Sequence, residues 1–384
     1  MSNTGKSVYS ERIHFFGKQQ SHPFAEGVVC IVVTHLLPDR IALIPAISKL
    51  VTIGAILAIP YSLDTTTQDQ LKDEYLIFTP RLAELRDPEY LTNLVLEVSG
   101  DNKVILMDIG GYFAAAHDSL AALFGERLIG IVEDTEAGHR SYEALQSPKV
   151  PIISVARSDL KAPEDNLVGK SVAYSIEKAL RERDAIISSM HCLILGYGKV
   201  GKGVASAMHA QNYRVTVYDI DPKKRIEALS HGFGSPERSP AIAAAQLIIG
   251  ATGCNSVLPE DIPILQDGCW LISASSKDVE FPIDFMMRTS DYRTSSDHVT
   301  LLSFQGKKVA LFAEGRPLNF VDGAAMGEFI GVVQAELLAS IRYLLNASPP
   351  NGLNELPTDI KDEIALAWCD AFVCPNTGTL KVCM

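Results

Sequence analysis

Apolar runs of strand length alternate with longer segments of helical periodicity along most of the chain. The runs VVCIVVT, KVILMDIG, LIGIVED and VPIISVA come before residue 160, and CLILGYG, RVTVYDI, QLIIGATG and CWLISAS come after residue 190. Strands separated by helix-length segments are typical of βαβ units, which build parallel sheets through right-handed crossovers. The two series predict two α/β domains.

The segment between the two series is the predicted connection between the domains. Pro163 and Gly169 indicate a loop, and a helix is expected after it. The apolar residues of that helix recur at helical spacing: Val172, Ile176, Ala179 and Leu180. A second amphipathic helix, VVQAELLASIRYLLN, follows a glycine-rich junction at residues 323–331. If this last helix returns to the first domain, the domain before it is an insertion.

We therefore predict an α/β fold in which one α/β domain is inserted into a second α/β domain. The predicted boundaries are residues 1–160 and 328–384 for the outer domain, residues 171–327 for the inserted domain, and residues 161–170 for a hinge. Substrate is expected in the cleft between the domains, at the carboxyl ends of the strands.

Composition narrows the class of protein. The 384 residues are 47% hydrophobic and 21% charged, which suits two ordinary cores. An apolar stretch at residues 41–60 is interrupted by polar residues, so it predicts a buried helix rather than a membrane span, and the first residues do not resemble a signal peptide. A cytoplasmic protein is expected.

The net charge and the cysteine spacing argue against two kinds of ligand, nucleic acid and metal ions. The net charge of −12, without a basic stripe, argues against binding to nucleic acid. The seven cysteines include no C-x-x-C pair and no spacing that would build a tetrahedral cage, so no metal site is predicted.

A glycine turn, GYGKVG at residues 196–201, lies between a predicted strand and a predicted helix. In this context Gly196 permits the tight turn, Gly198 lets the backbone approach a pyrophosphate, and Gly201 lets helix and strand pack closely. Lys199 and Val200 open the helix whose free N–H groups face the phosphates. A turn of this shape with no ligand is the alternative.

An acid after the next strand indicates which nucleotide binds. Asp219 follows the run RVTVY and is placed to accept hydrogen bonds from an adenosine ribose, which favours NAD over NADP. Lys223, Lys224 and Arg225 follow it. They are either a solvated helix face or, alternatively, a site for a 2′-phosphate. We therefore predict that the inserted domain, residues 171–327, is a Rossmann-type NAD-binding domain, and that the outer domain, residues 1–160 and 328–384, binds substrate.

At these residues the chain resembles the S-adenosylhomocysteine hydrolases. Similar motifs occur in the same order over about residues 27 to 345: THL at 34–36, TQD at 67–69, EDTEAGH at 133–139, LKAPEDNLVGKS at 160–171, GYGKVGKG at 196–203, DIDP at 219–222, ATGC at 251–254, DVE at 278–280, AEGRPLNF at 313–320 and AAMG at 324–327. The resemblance implies tightly bound NAD that oxidises the 3′ hydroxyl of a nucleoside, after which the 5′ thiol is eliminated, water adds, and the ketone is reduced again.

The same resemblance implies roles for individual residues. Lys161 and Asp165 would flank the 3′ hydroxyl, with a buried lysine as base, and His35 would serve as acid/base near the 5′ position. Glu133 would contact the sugar hydroxyls. The residues implied at the nicotinamide end and elsewhere around the cofactor are Thr135, Asn166, Thr252 and Asn319.

Several positions depart from the family pattern. Ile109 stands where the family has an Asp before two glycines, so only Asp108 remains one residue earlier. Ser276 and Glu328 stand where the family has histidines. The family's long C-terminal tail, through which a neighbouring subunit touches NAD, has no counterpart, so a homodimer is expected instead of a tetramer.

These departures leave three interpretations of function. The first is an enzyme that oxidises a secondary hydroxyl of a nucleoside-like small molecule with bound NAD and continues to elimination and hydration, or to another rearrangement. The second is a non-catalytic paralogue that senses NAD or a nucleoside through a partner protein. The third is a dehydrogenase that exchanges free NAD and NADH.

Overall fold

The computed structural model describes residues 11–17, 23–181, 190–275, 279–296, 299–318, 327–374 and 377–381. The chain divides into two compact units. Unit 1 comprises residues Met1–Lys161 and Gly327–Met384, and unit 2 comprises residues Ala162–Met326. In sequence, unit 2 therefore lies between the two segments of unit 1.

Unit 1 is built on a parallel sheet with the strand order β14-β6-β5-β4-β1-β2-β3. The order β2-β1-β4-β5-β6 is that of a doubly wound fold, whose topological switch point lies between β1 and β4. Ligands bind such sheets outside the carboxyl ends of the strands at that point. The strands are β1 (Val28–Leu36), β2 (Thr52–Leu63), β3 (Ile77–Phe78), β4 (Lys103–Asp108), β5 (Leu128–Glu133), β6 (Pro151–Ser154) and β14 (Gly352–Asn354).

Helices flank this sheet, and its central strands β1, β4 and β5 are largely buried because both faces are covered. They are α1 (residues 11–17), α2 (Arg40–Ser48), α3 (Thr65–Leu71), α4 (Leu82–Leu85), α5 (Pro88–Ser99), α6 (His117–Phe124), α7 (Glu136–Glu143), α13 (Phe329–Asn346) and α14 (Thr358–Phe372), with 3₁₀ turns at Tyr112–Ala114, Gly125–Arg127 and Asp159–Lys161.

One predicted element of unit 1 is wrong in its extent. Residues 41–60 were expected to form one buried helix, but the helix ends at Ser48 and strand β2 begins at Thr52. Strand β2 pairs with β1 from Thr52 to Leu63, and this pairing places its apolar residues in the sheet instead of in a helix. A short apolar run has no periodicity that distinguishes a buried strand from a buried helix.

Unit 2 is built on a second sheet with the order β11-β12-β13-β10-β9-β7-β8. Thr216 of β8 also bridges Gly234 in parallel, which completes the Rossmann order of strands with its switch point between β7 and β9. The predicted fold class is confirmed. The strands are β7 (His191–Leu195), β8 (Arg214–Tyr218), β9 (Leu247–Gly250), β10 (Cys269–Ser273), β11 (Tyr292–Ser296), β12 (Val299–Phe304) and β13 (Lys307–Phe312), of which β11 and β12 run antiparallel to their neighbours.

The helices of unit 2 are α8 (Ala162–Arg181), α9 (Lys199–Ala210), α10 (Pro222–Ser230), α11 (Arg238–Ala244) and α12 (Ile283–Thr289), with 3₁₀ turns at Pro259–Ile264 and Ala313–Gly315. The loop predicted before Val172 is wrong, because α8 is continuous from Ala162. Pro163 lies in the first helical turn, where its missing N–H costs nothing. Gly169 is required by packing: a Cβ there would lie 2.6 Å from the Gly203 carbonyl carbon of α9.

Among the helices in the described ranges, none has both the length and the apolar composition needed to cross a membrane. The same part of the chain contains no group of three or more His, Cys, Asp or Glu side chains arranged to hold a metal ion.

Candidate functional site

The glycine turn of unit 2 connects β7 to α9, and its three glycines have different surroundings. Gly196 has a φ of 97°, and a Cβ there would lie 2.6 Å from the carbonyl oxygen of Ala251. A Cβ on Gly201 would collide with the carbonyl oxygen of Gly196. Gly198 differs, because a Cβ there would meet nothing within 4 Å. The space beside Gly198, at the N-cap of α9, is therefore open to a ligand.

Asp219, immediately after β8, is held against this turn. Its carboxylate accepts a hydrogen bond of 2.6 Å from the Tyr197 N–H and one of 2.9 Å from the Asp221 N–H. A carboxylate so fixed at the carboxyl end of β8, the strand beside β7, suits the ribose of an adenine dinucleotide. The residues present thus fit NAD: an open helix N-terminus for the pyrophosphate and a positioned acid for the ribose.

Three further predicted residues of unit 2 are described by the structure: Asp165, predicted at the substrate hydroxyl, and the cofactor residues Asn166 and Thr252. Asp165 forms an ion pair of 3.2 Å with Lys199 at the start of α9, and the Asn166 carbonyl lies against Gly203. The N–H and hydroxyl of Thr252 donate to the carboxylate of buried Glu280, at 2.7 and 2.8 Å. Asn319, like Ser276, lies outside the described residues.

Unit 1 has a buried ionic cluster at the carboxyl ends of β1 and β5. The Lys161 amine lies 2.8 Å from the Asp134 carboxylate, and their side chains are only 9% and 10% exposed. Burial works to raise the pKa of Asp134, but Lys161 and Arg40 outweigh it and lower that pKa below its ordinary value. Because His35 interacts electrostatically with both Arg40 and Asp134, it belongs to the same cluster.

His35 is neutral at physiological pH. Burial, and then the positive charge of Arg40, lowers the pKa of His35 to about 3. Its Nδ1 lies 2.6 Å from the Ser62 hydroxyl. The Arg40 guanidinium donates to the Thr34 hydroxyl at 2.9 Å and to the His35 carbonyl at 3.2 Å, which fixes the end of β1. His35 is therefore a neutral imidazole whose ring orientation is fixed by Ser62.

Glu133 has a local structural role. Its carboxylate accepts hydrogen bonds from the N–H groups of Gly110, Gly111 and Thr135 at 3.1, 2.9 and 2.7 Å, and from the Thr135 hydroxyl at 2.8 Å. Burial, and then the charge of Asp108, raises the pKa of Glu133 well above its ordinary value. The residue after Glu133, Asp134, is the acid that contacts Lys161. Contacts of Glu133 and Thr135 with ligands stay predictions.

The positions that depart from the family pattern are occupied differently. Ile109 is buried, and Asp108 accepts hydrogen bonds from the Phe113 N–H at 2.9 Å and the Tyr142 hydroxyl at 2.6 Å. Glu328 forms an ion pair of 3.4 Å with buried Arg12. Asp108 therefore supports a loop and does not substitute for a carboxylate at position 109.

Sequence reasoning missed a second acid near Lys161. Helix α13 was expected to be amphipathic, yet its polar residues Gln334, Glu336 and Ser340 are fully buried. Glu336 accepts a hydrogen bond of 2.5 Å from the Ser158 hydroxyl, and burial raises its pKa from 4.5 to about 7. The signal available in the sequence was a glutamate within a nearly continuous apolar run.

The raised pKa of Glu336 makes unit 1 less stable as the pH rises from 4.5 to above about 7. Between pH 4.5 and about pH 7 the unfolded chain has lost this proton while the native chain keeps it, so the stabilising contribution is complete below 4.5 and is lost as the pH rises through 7. From about pH 5 to about pH 8 the free energy of unfolding should fall by about 2 kcal/mol through this group. The variant Glu336→Gln should not show this loss.

Urea unfolding at several pH values measures this difference between the wild type and Glu336→Gln. The signal is the fluorescence of Trp368 in a Trp270→Phe background. In that background Trp368 is the sole tryptophan, and it lies in α14 of unit 1. The exposed substitution Glu363→Gln is the matched control. Equal pH dependence in the wild type and in Glu336→Gln would contradict the assignment.

Comparison with known proteins agrees with this geometry. Residues 169–326 match the family described as "S-adenosyl-L-homocysteine hydrolase, NAD binding domain". An adenosylhomocysteinase of Thermotoga maritima is 28% identical over 352 residues, covering 88% of this chain and 85% of that protein. Over most of its length the chain is similar to adenosylhomocysteinases. Unit 2 is its NAD-binding domain, and NAD is its cofactor.

A second group of relatives carries a different name. The S-inosyl-L-homocysteine hydrolase of Methanopyrus kandleri is 26% identical over 289 residues, which cover 73% of this chain and 68% of that protein. The adenosylhomocysteinase of Sulfolobus acidocaldarius has the same identity and the same coverage. These similarities support an enzyme of this family and leave its substrate open.

Proposed function

We propose that the chain is an NAD-dependent enzyme that oxidises a secondary hydroxyl, of the 3′ type, on a nucleoside-like small molecule. The observation that carries the proposal is the buried Lys161–Asp134 pair, which lies with His35 at the ligand-binding edge of the sheet of unit 1. Relatives named for S-adenosyl- and S-inosyl-homocysteine chemistry support the substrate class.

Each residue of the cluster has a chemical task in this proposal. NAD, when bound, supplies the hydride acceptor. Lys161 takes the proton of the hydroxyl that is oxidised, and Asp134 orients the Lys161 amine through the 2.8 Å hydrogen bond. Asp165 assists from the start of α8, beside Lys199. The resulting ketone acidifies the neighbouring C–H bond, which allows a group at the 5′ position to leave.

His35 accepts a proton in the second half of the proposed reaction. A neutral imidazole with a pKa of about 3 is a weak base, and the Ser62 hydroxyl beside its Nδ1 gives it a fixed orientation. The proposed end point is hydrolysis of a nucleoside thioether, with Ile109, Ser276 and Glu328 marking where the substrate differs from that of the family.

One experiment with two measured signals tests the proposal. Purified protein carrying NAD is mixed with S-adenosylhomocysteine, S-inosylhomocysteine, adenosine and inosine in turn. Absorbance of reduced nicotinamide and release of free thiol are followed together. Reduction with thiol release supports the full hydrolase reaction, and reduction without thiol supports the oxidation alone. No reduction with any of the four contradicts the proposal and favours the non-catalytic paralogue.

A further inference from the structure

Glu336 and Lys161 are connected through one short turn. The Ser158 hydroxyl donates to the Glu336 carboxylate at 2.5 Å and accepts a hydrogen bond from the Leu160 N–H at 3.3 Å. The Lys161 N–H donates to the Ser158 carbonyl at 3.2 Å. Ser158 thus begins the 3₁₀ turn Asp159–Lys161, and Glu336 fixes Ser158 from the neighbouring helix α13.

The buried Glu336 carboxyl has few hydrogen-bond partners to offset the loss of hydration. Its residue is fully buried, and within the described chain its Oε2 has no hydrogen-bond partner. A buried carboxylate with one unpaired oxygen is costly to ionise. The charged groups that face it are Lys161 from the 3₁₀ turn, Asp134 after β5 and Lys361 from α14.

The charges of these neighbours influence how readily Lys161 loses its proton. With Asp134 ionised, a second negative charge on Glu336 would favour the protonated amine of Lys161, which is the form that cannot act as a base. With Glu336 protonated, Lys161 loses its proton more readily.

We propose that Glu336 is a positioning residue for Lys161: through Ser158 it holds the turn that presents the amine, and its charge determines how readily that amine gives up its proton. The inference rests on the proposed function, in which Lys161 is the base. It adds a control of that base from a helix that carries none of the predicted site residues.

The test measures the Lys161 amine directly, without substrate. Lysine labelled with ¹⁵N at Nζ is introduced into the NAD-loaded full chain, and the Lys161 signal is assigned from its loss in Lys161→Arg. The pH midpoint of its titration is then compared between wild type and Glu336→Gln. Glutamine keeps an acceptor for Ser158 but cannot ionise, so the midpoint should fall by about half a pH unit or more.

The exposed change Glu363→Gln should leave the midpoint where it is in the wild type. If Glu336→Gln does not fold, Glu336→Met provides a neutral side chain of similar length that suits a buried site, and the same fall is expected. An unchanged midpoint in the folded variant would overturn the inference. This failure is distinguishable from failure of the proposed function, in which the wild-type protein reduces no NAD whatever the Lys161 midpoint is.

Discussion

Replacing Lys161 by methionine is expected to abolish the reduction of bound NAD by substrate. The proton of the reacting hydroxyl then has no base within reach, and general-base catalysis of this kind contributes about 10²- to 10⁴-fold. NAD itself should still bind, because the glycine turn and Asp219 belong to the other unit. The rate of nicotinamide reduction after mixing with substrate is the readout, and calorimetry measures the affinity for NAD.

The same change removes the ion-pair partner of a buried carboxylate, so loss of activity must be separated from loss of structure. Without Lys161, buried Asp134 loses its hydrogen-bonded cation and keeps only the charge of Arg40, and breaking a buried ion pair typically costs about 3 to 5 kcal/mol. The double variant Lys161→Met, Asp134→Asn should therefore be more stable than Lys161→Met and equally inactive. If the double variant recovers activity, Lys161 is a structural residue and the assignment fails.

Replacing Gly198 by alanine should weaken NAD binding at least about tenfold without unfolding the protein, because the second glycine of the turn lets the backbone approach the pyrophosphate. Its φ of −74° suits alanine, and the added Cβ meets nothing within 4 Å in the chain itself. The methyl group therefore occupies only space that the ligand needs. Titration with NAD, with heat of binding as the signal, gives the affinity.

Gly201→Ala is the contrasting variant. Its Cβ collides with the Gly196 carbonyl, so it should destabilise unit 2 itself, by about 1 to 3 kcal/mol. Trp270, which packs against the core of unit 2, reports that unfolding in a Trp368→Phe background. Wild-type NAD affinity in Gly198→Ala would show that the pyrophosphate does not lie at this turn.

Much of the fold was predictable because its signals are local. Each of the eight quoted apolar runs overlaps an observed strand, namely β1 and each of β4 to β10. Gly196 and Gly201 could be assigned from sequence because their spacing and their backbone requirements occur in one turn. The failures at residues 41–60 and 162–169 have non-local causes: pairing of β2 with β1, and contact of Gly169 with Gly203.

The site was less predictable than the fold, because its decisive contacts join distant residues. Glu133 and Asp134 are adjacent acids at the end of one strand, and only the tertiary structure shows that Asp134 faces Lys161 while Glu133 binds the loop at Gly110 and Gly111. The neutral state of His35 depends on burial and on Arg40. Glu336 belongs to the cluster although it lies 175 positions after Lys161 in the sequence.

The most direct test of the account is whether a 3′ hydroxyl reduces the protein's own NAD. Adenosine and inosine are compared with their 2′-deoxy and 3′-deoxy forms, each mixed in turn with the NAD-loaded protein, while the absorbance of reduced nicotinamide is recorded. The account predicts a rise with at least one parent nucleoside and with its 2′-deoxy form, and none with its 3′-deoxy form. An equal rise with the 3′-deoxy form, or no rise with any nucleoside, would contradict it.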